Sequence, residues 1–542
     1  MRPGALFSIP GLLVGTLFFA LSLTPSLIPR DALMQGIVSG LSFAAGYGFG
    51  SLLAWLWRFL GLPLPAGRTR TVLVWCCAAV CAALVVVFLW QATGWQNSVR
   101  EAMGLGAVAG VRPFTIALVA IVVFMVVLGV ARGFRRTMRF LSRRLEHRIP
   151  PRVSMVLGLV AAFALFWALV SDVLLMAGLR AVDSVYRQLD ARMEPDLPAP
   201  ADPDKPGGAR SLVRWQDMGH QGRRYLALGP TADDIREVAG EGMDPIRVYV
   251  GLNAADTPEE RAQLALEEFK RVGGFDRSVV LLITPTGTGW VDPGAINSVE
   301  YLHRGDIASV ATQYSYLPSP IALMTEDAYG RETAEALFRA VYGYWRKLPR
   351  DSRPELYLFG LSLGALNSDR SFDFYDIIDD PFHGALWTGP PFRSDTWRAV
   401  TAGRDPGSPA WLPMFRGGAV VRFGNHHGGY RGKKPWGNFR IAYLQHASDP
   451  IVFFTPDALL RKPAWMERPR GPGVSSELQW YPVVTMFQLA ADMHAGVAPM
   501  GYGHSYAPSD YILAWLALTE PGGWGKSGLE RLKKRLQGYN ER

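Results

Sequence analysis

Within the first 180 residues lie five almost unbroken apolar stretches, at 9–27, 34–57, 71–90, 114–131 and 153–178. A helix needs about 20 apolar residues to cross roughly 30 Å of hydrocarbon. These stretches therefore dictate an N-terminal α-helical transmembrane bundle of five spans before any other feature is weighed. The second contains Gly36 and Gly40, then Gly46, Gly48 and Gly50, and small residues at such intervals let helices approach closely. Pro25, Pro29 and Arg30 follow the first stretch where a signal peptide would place a small-x-small cleavage site. It is read as a retained span.

Charge gives the spans a direction. The net charge of +9 is unevenly held: residues 1–180 carry 16 arginines and four acids, whereas the remainder holds 40 basic and 43 acidic side chains. A basic excess confined to loops between apolar spans is a topology signal, and it excludes a nucleic-acid partner. Arg58, Arg68 and Arg70 follow the second span, and eight arginines from Arg132 to Arg152 follow the fourth, while the alternate loops hold far fewer. Positive loops stay in the cytoplasm. The expectation is a multi-pass protein of the plasma (inner) membrane with a cytoplasmic N-terminus and an extracytoplasmic C-terminal domain. Met138, Leu141 and Leu145 recur at helical spacing among the arginines, as in an interfacial helix lying on anionic headgroups. Asp172 falls near the outer end of the fifth span, within reach of water. Cys76, Cys77 and Cys81 share one apolar stretch without metal-ligand spacing and read as packing residues.

After the spans the pattern changes. Residues 181–210 are rich in proline and polar side chains and read as a linker. Beyond it, buried-strand patterns at 246–250, 278–283, 307–313, 355–359, 384–387 and 440–444 alternate with helical segments at 257–272 and 331–347. Such alternation calls for a mostly parallel sheet with helices on both faces. The division expected is 1–180 membrane domain, 181–210 linker and 211–542 α/β-hydrolase catalytic domain.

The strongest local signal is an apolar strand running into Gly360-Leu361-Ser362-Leu363-Gly364 and then a helix. A nucleophilic serine on a strained strand-to-helix turn needs tiny residues two positions either side, so Gly360 and Gly364 form the elbow and Ser362 the nucleophile. The following helix aims its N-terminus at the site, and the Leu363 amide is placed to hold an oxyanion. Among nine histidines, chain order and loop context leave His426, His427, His494 and His504; His504, in a glycine-rich loop near the C-terminus, is preferred and His494 is its rival. Asp449, at the end of a late strand, is the preferred triad acid, with Asp395 the competitor. The loop 284–290 (TPTGTGW) follows an apolar strand and offers Gly287, Thr288 or Gly289 as a second oxyanion donor. The basic run 422–440, with His426 and His427, reads as a solvated loop; adjacent histidines without a nearby carboxylate make a poor metal site.

Several longer stretches resemble a known family: residues 23–30 (LTPSLIPR), 284–293 (TPTGTGWVDP), 313–318 (QYSYLP), 360–365, 443–452 (YLQHASDPIV) and Gly503-His504. Over nearly its whole length the chain is similar to bacterial membrane-anchored α/β-hydrolases with an uncharacterised multi-span N-terminal domain. The resemblance implies a membrane location and a hydrolase domain whose serine and histidine match Ser362 and His504. Leu361 stands where that family's elbow usually carries an acid, so no role for that side chain carries over. The expectation is a cofactor-independent serine hydrolase (esterase/lipase-like) whose partners are the lipid bilayer and a lipid or cell-envelope ester at the outer membrane face. An acyltransferase, thioesterase or peptidase with the same triad, or a non-catalytic scaffold, are the alternatives.

Overall fold

The computed structural model describes residues 7–147, 149–169, 171, 176–318, 321–322, 327–494 and 498–537. The chain divides into two compact units, one of residues 1–180 with 454–499, the other of residues 181–453 with 500–542.

The first unit is helical: α1 (Ile9–Ser22), α2 (Ala32–Phe59), α3 (Gly67–Ala102), α4 (Pro113–Leu145) and α5 (Pro151–Ala168). Among the described residues, α2 to α5 are long and apolar enough to cross a membrane, and α1 is a shorter apolar helix. Of the five expected spans, four are thus helices of sufficient length and apolarity, and α1 falls short. Its 14 residues rise only about 21 Å at 1.5 Å per residue, against roughly 30 Å of hydrocarbon. It stops at Ser22 because Pro25 disfavours helical backbone at Thr24. In place of a further turn, the Ser22 and Thr24 hydroxyls donate back to the Phe19 and Leu21 carbonyls. Conversely, α4 runs without a break through the arginine-rich segment expected to be a separate interfacial helix. Asp172 lies outside the described residues.

The glycines of α2 serve two neighbours. A Cβ on Gly36 or Gly40 would lie 2.6 Å or 2.7 Å from Val119 or Val123 of α4. One on Gly46 or Gly50 would strike the Val14 or Pro10 carbonyl of α1. Only glycine permits these approaches, which replace hydrophobic exclusion as the source of contact between apolar helices.

Residues 454–499, expected within the hydrolase domain, pack instead in this helical unit. The helix Val484–Asp492 meets the end of α1 and the segment after it. Gln488 Nε2 donates to the Ser22 and Thr24 carbonyls at 3.2 and 3.0 Å. Asp492 accepts from Ser26 Oγ (3.0 Å) and Leu27 N (2.9 Å) and pairs with Arg30 Nε at 3.1 Å, both charged side chains being fully buried. Burial raises the pKa of Asp492 and lowers that of Arg30, and their pairing opposes both shifts.

The second unit carries an eight-stranded sheet: β1 (Ile246–Val250), β2 (Val279–Thr284), β3 (Ile307–Thr312), β4 (Glu355–Leu361), β5 (Gly384–Thr388), β6 (Val421–Asn425), β7 (Gly428–Gly429) and β8 (Arg440–Leu444). Their order is β1-β3-β2-β4-β5-β8-β6-β7, and all neighbours are parallel except β6 and β7. The strands are apolar and buried almost throughout, as a sheet covered on both faces requires. Helix Pro258–Arg271 opens with a Thr257–Glu260 capping box and packs on Asp327–Trp345. Helix Pro293–Leu302 packs on Pro508–Thr519. The basic run 422–440 is not wholly loop, since Arg422 sits on β6. Residues 181–210 pack onto this unit: Trp215 Nε1 donates to Leu197 O at 3.3 Å and Arg271 Nη2 to Asp204 O at 3.0 Å.

Two predictions follow from buried charge. Asp492→Ala leaves the Arg30 guanidinium buried and unpaired, a loss of about 3–5 kcal/mol; thermal unfolding in detergent is expected to show a clear drop, whereas exposed Asp395→Ala stays within about 0.5 kcal/mol of wild type. Asp292 caps helix Pro293–Leu302, and its burial pushes the carboxyl from 3.8 up to about 6, against hydrogen bonds from Tyr511 and the helix amides. The folded chain thus binds this proton more tightly than the unfolded chain. The stability it contributes is complete below about pH 4 and is lost as pH rises to about 6. Asp292→Asn has no such proton, so the melting-temperature difference between variant and wild type should move in the variant's favour across that window.

Candidate active site

Ser362 sits where β4 turns into helix Leu363–Asp369, with φ +56° and ψ −122°, outside the regions L-residues favour. A non-glycine residue persists there only when its surroundings over-determine it, and here they do. Its N–H donates to Thr388 O at the end of β5 (2.9 Å). A Cβ at Gly360 would lie 2.3 Å from the Gly364 carbonyl carbon, and one at Gly364 would lie 2.2 Å from Thr284 O. The two glycines are therefore demanded by backbone packed against backbone. The same contact seats the 284–290 loop beside the serine.

His504 lies in a turn closed by Gly501 N to Ser505 O (2.8 Å) and Ser505 N to Tyr502 O (3.1 Å). Its Nδ1 is 2.7 Å from Asp449 Oδ2. The imidazole rests over the end of β5, where a Cβ at Gly389 would meet His504 Cε1 at 2.6 Å. Gly389 follows Thr388, the residue that accepts from Ser362 N. The imidazole and the serine thus share one strand end, with Nε2 as the ring nitrogen not engaged by Asp449.

Asp449 is fully buried. Its Oδ1 accepts from Ile451 N (2.9 Å) and Val452 N (3.4 Å), and its Oδ2 accepts from Tyr506 Oη at 2.6 Å as well as facing His504. Asp395 has another place: it begins helix Asp395–Ala402, is 70% exposed, and pairs with Arg370 and Arg398 at 3.4 Å. His494 lies in the helical unit, exposed, its Nδ1 3.0 Å from Ala490 O. The geometry therefore sets His504 on Asp449 at the strand end that also holds Ser362, while Asp395 is engaged elsewhere by Arg370 and Arg398.

Of the second-donor candidates, Gly289 is occupied. Its N–H closes a turn on Thr286 O (2.9 Å), and its carbonyl accepts from Tyr249 Oη (2.7 Å). Gly287 is buried and Thr288 half-buried in the same turn. The Leu363 amide begins its helix and has no intrahelical acceptor.

Three residues were not singled out by the sequence pattern. Tyr506, besides binding Asp449, stacks on His446 with ring centroids 4.4 Å apart. His446 Nδ1 lies 2.9 Å from Gly503 O, next to His504, and Nε2 lies 3.2 Å from Asp510. Asp510 Oδ1 is 2.6 Å from His426 Nδ1. Burial alone would raise the Asp510 carboxyl, but the hydrogen bonds of His426 and His446 bring it down to about 2. The same bond raises the pKa of His426. Asp510 is the third residue of helix Pro508–Thr519 and also accepts from Ala507 N (3.0 Å), so in sequence it looks like an ordinary capping acid. His427 meets the His426 ring edge to face with centroids 5.4 Å apart, and its N–H donates to Asn425 Oδ1.

Residues 246–532, more than half of the chain, match the model of an α/β-hydrolase family, and residues 23–230 match the model of that family's N-terminal region. No curated protein and no solved structure matches. The two matches cover both the helical region and the sheet, and the chain belongs to this α/β-hydrolase family.

Proposed function

We propose that the chain is a membrane-anchored serine hydrolase that cleaves an ester-type acyl group of a lipid or envelope substrate at the outer face of the membrane. The observation that carries this reading is Ser362, held on a strained turn at the strand end over which the Asp449-bound imidazole of His504 rests. Ser362 Oγ attacks the acyl carbon while His504 Nε2 takes its proton, and Asp449 holds the tautomer and stabilises the imidazolium. The oxyanion is met by the Leu363 amide, helped by the helix N-terminus, and by the Gly287–Thr288 edge of the neighbouring loop. His504 then protonates the departing alcohol. Water, activated by the same imidazole, releases the acid and restores Ser362.

The membrane side of the proposal rests on α2 to α5. Arginines cluster around the α2–α3 turn (Arg58, Arg68, Arg70) and along the last turns of α4 into the start of α5 (Arg132 to Arg152). By the positive-inside rule this supports a cytoplasmic place for both turns and an outer one for the chain beyond α5. This holds whatever depth α1 reaches. Tethering raises the local concentration of a bilayer or envelope substrate, which favours such an ester over a soluble one.

The test is covalent labelling of the full-length protein in detergent with a fluorophosphonate. Wild type is expected to label, and Ser362→Ala and His504→Ala are expected to abolish it. Labelling that survives Ser362→Ala, or a folded wild type that stays unlabelled, would sink the reading. Asp449→Asn should slow labelling by roughly 10⁴-fold through the wrong imidazole tautomer. Tyr506→Phe removes one donor to a buried carboxylate and should slow it about tenfold without abolishing it.

A further inference from the structure

Helices α4 and α5 form a hairpin whose close approach is set by Gly158, where a Cβ would lie 2.1 Å from Ser142 Oγ and 3.0 Å from Met138 O. Away from the turn, Phe134 and Phe166 meet edge to face with centroids 5.3 Å apart. Towards the turn, the pair opens around a cavity of about 390 Å³ whose lining includes Arg139, Arg143, Arg152, Met138, Met155 and Glu146. Three arginines and one glutamate thus contribute to the lining, a local excess of positive charge. Arg144, next in the chain, is turned instead onto the Phe140 ring at 4.9 Å. Beside the cavity, α5 presents Val153, Val156, Leu159 and Phe163, each more than 45% exposed.

A ligand matching this place must be anionic at one end and apolar along its length. Guanidinium forks suit the oxygens of a phosphate, two at a time. The exposed face of α5 suits acyl chains, and a basic recess between membrane helices is where such headgroups are held. We propose that this cavity binds the phosphodiester headgroup of an anionic phospholipid, with its acyl chains lying along α5. The site is independent of the reaction at Ser362. It converts the arginine-rich turn from a diffuse charge into a defined lipid seat, and it holds the hairpin together from the headgroup side.

The experiment follows thermal unfolding of the full-length protein in nonionic detergent with added phosphatidylglycerol, phosphatidylcholine or glycerol phosphate. Phosphatidylglycerol alone is expected to raise the midpoint of wild type. The Arg139→Gln/Arg143→Gln/Arg152→Gln variant should lose this response. An equal charge change beside the cavity, Arg135→Gln/Arg136→Gln/Arg144→Gln, should keep it. Each single substitution in the cavity should weaken phosphatidylglycerol retention about fivefold, read by native mass spectrometry, which remains informative if the triple variant folds poorly. Equal loss in both triple variants would overturn the proposal in favour of diffuse attraction. An undiminished response in the cavity variant would overturn it outright. An equal shift with glycerol phosphate would make the seat one for a free anion and overturn the lipid assignment.

Discussion

The buried carboxylate of Asp449 faces four donor groups, two from the backbone just after it and two from side chains in the loop that carries His504. A buried acceptor of this kind has a high cost if left unmet, so the positions of the β8 end, the His504 turn and Tyr506 are mutually fixed. The serine has no comparable freedom of its own. Its backbone is held by Gly360, Gly364 and Thr388, and the imidazole is held by Asp449 over the same strand end. The site's geometry depends on two rigid pieces meeting at Gly389, where the lack of a side chain lets the imidazole lie.

Much of this was legible in the residues. The apolar strand into Gly360–Gly364 carries its own reason, because a strained serine demands small neighbours, and the six strands read from the pattern all appear. β6 escaped notice because Val421–Asn425 contains Arg422 and lies among glycines and cations, so its burial comes from β8 and not from its own pattern. The Asp510 cluster was illegible for a different reason. His426, His446 and Asp510 are up to 84 residues apart, and only the sheet order brings the ends of β6 and β8 together.

The helical unit shows the same limit at greater range. Residues 23–30 hold two prolines, one serine and one arginine, and the first apolar stretch takes in only 23–27 of them. Their partners, Gln488 and Asp492, lie more than 460 positions away on a helix that reads as unremarkable. Once together, the polar groups satisfy one another, and the Arg30–Asp492 pair is excluded from water. A buried pair is weak evidence for stability in itself, yet it penalises any arrangement that separates its members. In this chain it specifies which segment belongs with the bundle.

That assignment changes what the 181–210 segment can be. The chain passes between its two units three times, after residues 180, 453 and 499. A protease that severed only the first passage would therefore not free the sheet, which would remain joined through both ends of 454–499 to a segment packed among the apolar helices. Release by a single cut is closed to this architecture by its threading, because two further passages still join the units.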